Sequence, residues 1–352
     1  MIMLEINQIL PTIAPRDAIS NEAVEIRDIL REWGYKSEIY AQNVHPSMKS
    51  IAHTHYKNPS KDNILIFHYS IGSEISDFVR TLPDKKIIRY HGITPEIYLE
   101  KINDYIAHLL LLGRKQLEYY PNITTLALAN SEYTKRELVS IGFKNVKILP
   151  LILNFKKLEL FNDSLLNLYS GDFVNILFVG RLIPQKRQDE VIKIFYYYKH
   201  INPKSRLFLV GSYEGFEKYY EELKLLIKEL ELNDVYITGS VPMEDLVSYY
   251  KLADIFICMS DWESFFAPLV ECMFFNIPIM AYNATAIPDT LKDAGVLINT
   301  KNYIEIAEMI NVIINDLELR TRIIEKQKEV LRMYNRTNAE QLLNIYIKAV
   351  ID

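Results

Sequence analysis

Cysteine is scarce in this sequence. The 352 residues include only two, Cys258 and Cys272, and both lie in apolar segments. A framework of disulfide bonds is therefore excluded, and no group of cysteines and histidines has the spacing of a zinc site. The two residues are best interpreted as buried thiols of a protein that folds in a reducing compartment.

Basic residues give no excess of positive charge. Forty lysines and arginines stand against 45 aspartates and glutamates, for a net charge of −5, whereas a nucleic-acid-binding surface needs a basic stripe. The sequence also lacks the run of about 20 apolar residues that a membrane-spanning helix needs. Residues 1–10 lack the pattern of a signal peptide. We therefore expect a cytoplasmic protein that does not bind nucleic acid.

Short apolar runs alternate with longer helical patterns along the whole chain. Such alternation is typical of mostly parallel sheets covered by helices on both faces. The length allows two domains of roughly 100–200 residues each. The strand candidates are residues 5–13, 36–41, 63–69, 85–90, 124–129 and 145–149, then 175–179, 206–210, 234–238, 254–259, 278–282 and 295–298.

The predicted fold class is α/β, with two tandem doubly wound Rossmann-like domains that face each other across a cleft. The first domain is expected to span residues 1–155 and the second residues 156–335. Residues 150–173 follow no clear period, so we interpret them as the connection and as a hinge for domain closure. The final helix, residues 336–352, is expected to pack back on the first domain.

A glycine and two cations follow the first strand of the second domain. Gly180 and Arg181 come directly after residues 175–179, and Lys186 stands five residues later where a helix begins. Glycine permits a tight turn, a guanidinium group matches phosphate oxygens, and a helix N-terminus favours anions. The pattern predicts a diphosphate site. Two solvated surface cations are the alternative interpretation.

Two glutamates flank the helix start that follows residues 254–259. Glu263 lies in the loop and Glu271 about one turn into the helix. A ribose diol can donate hydrogen bonds to Glu271 and sugar hydroxyls can donate to Glu263. A solvated helix face and a carboxylate favoured by the helix dipole are the respective alternatives. The backbone N–H groups at this helix start would face an anion, and they belong to Ser264, Phe265, Phe266 and Ala267.

These motifs resemble the GT-B retaining glycosyltransferases of family 4. The resemblance covers the C-terminal half in order and at the usual spacing, and it extends to Pro278–Tyr282, Pro288-Asp289 and Ala294-Gly295. Segments of the first half are similar to a bacterial and archaeal branch associated with the assembly of surface polysaccharides and glycolipids. These segments are Asp17–Asn21, Phe67–Ser73, Tyr90–Pro95 and Asn130–Tyr133.

The resemblance implies a retaining transferase that moves a hexose from a UDP- or GDP-sugar to a glycan, glycolipid or other sugar acceptor. Gly180, Arg181 and Lys186 would hold the donor diphosphate. Glu263 would contact the transferred sugar and Glu271 the ribose. Arg181, Lys186 and Glu263, together with a histidine of the first half, would form the catalytic set.

That histidine is His91, in a Tyr-His-Gly turn after a strand, which the resemblance places on the acceptor side. Asp17 and His68 are further acceptor-side candidates. The alternatives are a core histidine for His68 and a helix N-cap for Asp17.

Departures from the family pattern concern positions where glycine is common. Ser264 and Phe266 stand at two of them, and Arg187 at a third. The early glycine-rich loop is represented only by residues 14–17, Ala-Pro-Arg-Asp. We therefore expect the local backbone of the donor loop and of the acceptor-side loop to differ from the family pattern.

Neither a metal nor another cofactor is expected. Many sugar transferases neutralise the leaving diphosphate with a divalent metal held by an Asp-x-Asp element, and none follows a strand here. Arg181, Lys186 and the helix N-terminus would neutralise the charge instead. Retention itself, and a front-face displacement in which the leaving phosphate takes the acceptor's proton, are implied by the family.

Residues 96–119 form a long amphipathic pattern with Arg114 and Lys115 near its end. In transferases with lipid-linked acceptors, such a helix would lie on the inner face of the membrane. A core helix with one solvated face is the alternative interpretation.

Other functions remain open at this level. A dinucleotide-dependent dehydrogenase would need Gly-x-Gly-x-x-Gly after a strand, and the sequence has none. A sugar-nucleotide epimerase, a glycogen-type phosphorylase and a non-catalytic nucleotide-binding scaffold are alternatives of similar architecture. The combination of Arg181 and Lys186 with Glu263 and Glu271 favours the transferase.

Overall fold

The computed structural model describes residues 4–351. It divides into two compact units. The first consists of Met1–Ile97, Asp104–Leu153 and Tyr334–Asp352. The second consists of Tyr98–Asn103 and Asn154–Met333.

The first unit is built on a parallel sheet of seven strands in the order β3-β2-β1-β4-β5-β6-β7. Its strands are β1 (Ile6–Ile13), β2 (Ile39–Val44), β3 (Ala52–His53), β4 (Ile64–Tyr69), β5 (Lys85–Tyr90), β6 (Thr124–Ala129) and β7 (Val146–Ile148). Four helices intervene, namely α1 (Ala18–Glu32), α2 (Glu74–Thr81), α3 (Asp104–Leu117) and α4 (Glu132–Ile141). The strand order reverses between β1 and β4, which is where doubly wound sheets bind ligands.

Local sequence explains where these helices begin and end. Asp17 caps α1, because its carboxylate accepts hydrogen bonds from the Ser20 backbone N–H at 2.8 Å and the Ser20 hydroxyl at 2.7 Å. Ser131 and Thr134 form a capping box at the start of α4. The same helix ends at Gly142, whose φ of 107° is left-handed and therefore suits glycine.

The second unit is built on a parallel sheet of six strands in the order β10-β9-β8-β11-β12-β13. They are β8 (Val174–Val179), β9 (Ser205–Val210), β10 (Val235–Gly239), β11 (Ile255–Cys258), β12 (Ile279–Tyr282) and β13 (Val296–Ile298). Its helices are α5 (Asp163–Leu168), α6 (Gln188–Ile201), α7 (Glu217–Glu229), α8 (Met243–Leu252), α9 (Ala267–Phe274), α10 (Ile287–Leu291), α11 (Tyr303–Asn315) and α12 (Leu317–Leu331). The order reverses between β8 and β11.

The last helix, α13 (Arg336–Ile351), belongs to the core of the first unit. Ala339, Leu343, Ile347 and Val350 lie on one face and join the buried cluster under the first sheet. The Lys85 ammonium group donates to the Val350 carbonyl at 2.8 Å, which satisfies one of the free carbonyls at the end of this helix.

The expectation of one helix over residues 96–119 is wrong. A 3-10 turn covers Glu96–Tyr98, and α3 begins only at Asp104. In the turn between them, the Leu99 carbonyl accepts hydrogen bonds from the N–H groups of Ile102 and Asn103, at 2.9 and 2.8 Å.

Helix α3 places its apolar face inside the first unit. Ala107, Leu110, Gly113 and Leu117 are buried along this face, as the alternative interpretation of a core helix required. Among the helices that residues 4–351 form, none combines the length and the hydrophobicity needed to cross a bilayer.

Candidate functional site

The carboxyl ends of β8 and β9 approach each other closely in the second unit. Gly180 follows β8 and Gly211 follows β9, and a Cβ atom on Gly211 would lie only 2.0 Å from the Gly180 carbonyl oxygen. Only glycine therefore fits at position 211. Sequence reasoning missed this residue, although a single glycine directly after a strand was the available signal.

Lys186 and Glu263 form an ion pair at this edge. The Lys186 Nζ lies 2.6 Å from the Glu263 Oε1, and the two side chains are only 13% and 10% exposed. The same ammonium group lies 4.3 Å from the centroid of the Phe266 ring, which adds a cation–π contact. The sequence analysis assigned Lys186 to the diphosphate of the donor and Glu263 to its sugar. In the structure these two side chains are in direct contact.

The Arg181 side chain lies against a different loop from the Lys186 side chain. Its side chain is exposed, donates to the Glu214 carbonyl at 3.3 Å and lies 5.0 Å from the Phe216 ring centroid. The structure therefore places this cation against the loop after β9, whereas Lys186 contacts the loop after β11. The sequence treated the two as a single group.

Glu271 lies on α9, where its carboxylate accepts a hydrogen bond from the Tyr250 hydroxyl. Burial raises the pKa of Glu271, and the hydrogen bond from Tyr250 opposes that shift. Tyr250 is itself buried, and its ring stacks on Phe275 at 5.1 Å. Tyr250 was missed by sequence reasoning, because a tyrosine on a helix looks the same whether or not it has a polar partner.

The start of α9 accommodates the two residues that stand in place of glycine. Neither Ser264 nor Phe266 has a positive φ in the described structure, so a side chain is tolerated at both. The Phe266 ring is buried and packs 6.2 Å from Phe178 and 6.1 Å from Phe256. The neighbouring Phe265 is buried as well, and Ala267 is the first residue of the helix.

Arg187 adopts the left-handed conformation that explains why glycine is common at this position. Its φ is 51°, a value that costs a residue with a side chain free energy. Ion pairs offset this cost, since the guanidinium group contacts Asp189 at 3.0 Å, Glu190 at 2.6 Å and Asp261 at 3.0 Å. Hydrogen bonding to Asp189 is the largest cause that raises the pKa of Arg187.

Lys301 completes this network. Its ammonium group lies 2.9 Å from Glu190 and 2.6 Å from Asp261. The loop that carries Glu263 is therefore tied through Asp261 to the start of α6 and to the segment after β13. Lys301, like Asp261, was not predicted, because its partners are remote in sequence.

The two candidate histidines of the first unit are in contact. The His68 Nδ1 lies 3.0 Å from the His91 Nε2, and the His68 Nε2 lies 2.8 Å from the Gln8 Oε1. Burial, followed by the charge of Arg89, lowers the pKa of His68 to about 3. Burial, then Arg89 and His68, lowers the pKa of His91 well below its usual value. Both rings are therefore neutral at pH 7.

Asp17 serves as the N-cap of α1, which was the alternative interpretation of this residue. Its carboxylate is engaged by the backbone N–H and the hydroxyl of Ser20. The hydroxyl of Ser20 in turn accepts from the Ala14 N–H at 3.0 Å, which ties the loop after β1 to the helix.

Glu22 and Arg89 form a buried ion pair beneath the histidines. Both side chains are 0% exposed, and the guanidinium group donates to both carboxylate oxygens, at 2.9 and 2.6 Å. Arg89 also donates to the Leu149 carbonyl at 2.7 Å, and Glu22 accepts from the Ile152 N–H at 3.1 Å. The sequence contained no sign that these two charges are paired.

Glu22, His68 and His91 are the one group of metal-ligand type that residues 4–351 bring together, with ligand atoms within 4.8 Å of one another. The group does not fit a metal ion. Both oxygens of Glu22 are bound by Arg89, and both nitrogens of His68 are bound by neighbours. The guanidinium group of Arg89, which is bonded to both Glu22 oxygens, would also repel a metal ion at this position.

Residues 168–330 match the family of glycosyl transferases group 1. The match covers most of the second unit. The predicted similarity to group 1 glycosyltransferases is confirmed for this part of the chain. The matched domain contains Gly180, Lys186, Glu263 and Glu271, and the first unit lies outside it.

Two curated relatives are similar to part of the chain. The chain is 24% identical over 235 residues to an uncharacterized 41.2 kDa protein in the cps region of Klebsiella pneumoniae, covering 64% of this chain and 61% of that one. It is 31% identical over 157 residues to an uncharacterized glycosyltransferase of Haemophilus influenzae, covering 44% and 43%. The chain thus spans less than two thirds of the length of either relative.

A solved structure shares the fold of nearly the whole chain. Anabaena Alr3699/HepE in complex with UDP-glucose covers 98% of this chain and 99% of its own, with a TM-score of 0.76 and 16% identity. At that identity the likeness concerns the fold alone. The predicted α/β class with two Rossmann-like domains is confirmed.

Proposed function

We propose that this protein transfers a sugar from a nucleotide diphosphate sugar to a saccharide or glycolipid acceptor. The observation that carries the proposal is the Lys186–Glu263 ion pair at the switch point of the group 1 domain. A cation for phosphate and a carboxylate for sugar hydroxyls are adjacent there. The Alr3699/HepE structure, which holds UDP-glucose, supports a uridine or related donor.

Lys186 is suited to act on the leaving phosphate. An ammonium group has three N–H donors, so the bond to Glu263 leaves two for phosphate oxygens. Negative charge develops on the β-phosphate as the bond to the sugar breaks, and a fixed cation stabilises it. Glu263, held at the same point, would accept hydrogen bonds from the hydroxyls of the transferred sugar.

The nucleoside is proposed to lie further along α9. The Tyr250 hydroxyl donates a hydrogen bond to Glu271, which would hold the carboxylate in place for the two hydroxyls of a ribose. Arg181 follows β8, and its exposed side chain would reach the diphosphate by moving away from the loop after β9. The retained configuration and the front-face displacement belong to this proposal through the family resemblance.

Nucleotide binding tests the donor part of the proposal. We expect UDP, GDP or ADP to raise the melting temperature, because a ligand at about 100 times its Kd adds about 2.7 kcal/mol to stability. The corresponding monophosphates should raise it less, since Lys186 would lose its phosphate. A melting temperature that no nucleoside diphosphate changes would contradict the proposal. Release of diphosphate from the matching nucleotide sugar separates an enzyme from a scaffold.

Metal chelation tests the proposed source of positive charge. We expect the rate of diphosphate release to stay unchanged in excess EDTA, because Lys186 and the helix start stabilise the leaving group without a metal. The rate after later addition of manganese or magnesium is the control. Strict dependence on either ion would show that a metal carries this charge.

Substitution of Gly211 tests the geometry of the phosphate turn. In Gly211→Ala the new methyl group would collide with the Gly180 carbonyl, and overpacking of this kind costs about 1–3 kcal/mol. We expect the affinity for the bound nucleoside diphosphate to fall at least tenfold, measured by calorimetry. Gly171→Ala is the matched control, because Gly171 also has a positive φ but nothing lies within 4 Å of the added Cβ. Equal affinities in both variants would refute the assigned turn.

A further inference from the structure

Thr285 follows β12 in a turn that does not suit its residue type. Its φ is 47°, in the left-handed region, and it is the one β-branched residue among the non-glycine residues with a positive φ in the described structure. A β-branched side chain crowds the backbone in this region, so such a residue is a true outlier. Strain of this kind persists only where surrounding contacts hold it, and it is concentrated at functional sites.

The Thr285 hydroxyl holds the main chain of Glu263 at both of its polar groups. It accepts a hydrogen bond from the Glu263 N–H and donates one to the Glu263 carbonyl, each at 2.8 Å. The Ala286 N–H donates to the same carbonyl at 3.3 Å. The turn after β12 therefore fixes the backbone of the residue that carries the carboxylate of the candidate site.

The loop after β11 is anchored at two points. β11 and β12 are parallel neighbours, so the loops that follow them leave the same edge of the sheet. Asp261 is tied to Arg187 and Lys301 at 3.0 and 2.6 Å, and Thr285 holds Glu263 two residues later. The charged anchor fixes the start of the loop, and the hydroxyl anchor fixes the point from which the Glu263 side chain extends.

We propose that Thr285 is a positioning residue, whose hydroxyl keeps the Glu263 carboxylate beside Lys186 and within reach of the sugar of the donor. The inference rests on the proposed function, since it adds to the role given there to Glu263. The strained turn places the hydroxyl where it reaches both polar groups of the Glu263 main chain. Thr285 acts through Glu263 rather than on the substrate, and a displacement of about 1 Å at such a site lowers a rate by about 100-fold.

Removal of the hydroxyl tests this role in turnover of UDP-glucose and GDP-mannose. Thr285→Val keeps the shape of the side chain. We expect its kcat for diphosphate release to fall at least about tenfold and its KM to change less than about threefold, because the contacts to the nucleoside and diphosphate remain. Thr285→Ser retains the hydroxyl and should keep a kcat near that of the wild type. A valine variant with wild-type kcat, or a serine variant as slow as the valine variant, overturns the proposal.

Glycine at position 285 separates positioning from stability. Thr285→Gly removes the hydroxyl, as valine does, but glycine adopts a positive φ freely. We therefore expect the glycine variant to unfold at a higher temperature than the valine variant, while both lose the same factor in kcat. A kcat that recovers together with the melting temperature shows a structural role alone and overturns the proposal.

Thr290→Val is the matched control for the loss of a threonine hydroxyl in the same segment. The Thr290 hydroxyl donates to the Ala286 carbonyl at 3.1 Å, and the variant should keep the wild-type kcat. A loss of kcat equal to that of Thr285→Val would show that the effect is not specific to the hydrogen bonds with Glu263, and it too overturns the proposal.

Hydrogen exchange of the Glu263 amide tests the two hydrogen bonds without any substrate. This N–H donates to Thr285, so NMR of the full-length chain should show slow exchange in the wild type and in Thr285→Ser, and exchange at least about tenfold faster in Thr285→Val. Equal exchange in the folded wild type and valine variant overturns the proposal. If the amide exchanges slowly but the wild type releases no diphosphate from any nucleotide sugar, the proposed function fails and the positioning role fails with it.

Discussion

Replacing Lys186 with alanine is expected to lower kcat by about 100-fold or more, which is the range for one preorganised charge contact and corresponds to about 2.7 kcal/mol. The ammonium group is within 2.6 Å of Glu263 and is only 13% exposed, so water replaces it poorly. Its removal would take the positive charge from the leaving phosphate and leave Glu263 without its partner. Diphosphate release from the nucleotide sugar measures the effect.

Two further substitutions separate charge from packing. Lys186→Met keeps the aliphatic stem over the Phe266 ring and should lose nearly as much activity as the alanine variant. Lys199→Ala removes a lysine that pairs with Asp234 at 2.5 Å in the same unit, and it should retain wild-type turnover. Wild-type rates in Lys186→Ala would mean that the diphosphate is bound elsewhere.

Replacing Arg89 with methionine is expected to destabilise the first unit by about 3–5 kcal/mol, the usual cost of breaking a buried ion pair. The substitution leaves the Glu22 carboxylate, at 0% exposure, with only the Ile152 N–H at 3.1 Å as a described donor. The Leu149 carbonyl also loses its partner. The free energy of unfolding should therefore fall steeply although no atom of the second unit changes.

The two tryptophans allow this loss to be assigned to one unit. Trp33 packs against the core of the first unit, and Trp262 belongs to the second. Urea unfolding followed by Trp33 fluorescence, in a Trp262→Phe background, reports the effect of Arg89→Met.

Adding Glu22→Gln to Arg89→Met should restore much of the stability, since it removes the unpaired charge and keeps an acceptor for Ile152. Lys135→Met, which removes the exposed partner of Glu132 in the same unit, should change little. If Arg89→Met unfolds at the wild-type urea concentration, the pair does not stabilise this unit.

Much of the fold could be predicted from residue patterns alone. The strand predictions 85–90 and 124–129 match β5 and β6 at both ends, although Lys85, Lys86 and Arg89 interrupt the apolar run of β5. The predicted strand 36–41 instead lies at Ile39–Val44. β3 and α10 were not predicted, since two and five residues are too short for any period to show.

The residues proposed for the donor could be found because each follows a strand or opens a helix. Lys186 and Glu263 are 77 positions apart, and their positions beyond β8 and β11 place them at one sheet edge. Tyr250 and Gln8 could not be found in this way. Their side chains lie within elements whose pattern already explains them as packing residues.

The sequence by itself determined the two parallel sheets, the glycine turn with its cations and the pair of glutamates, since short-range periodicity and strand–loop order encode these features. Only the tertiary structure decided which polar atoms meet. The bonds between Lys186 and Glu263, between Tyr250 and Glu271, and between His68 and His91 join separate elements. Their strength depends on burial and on distances of a few ångströms, which sequence order does not specify.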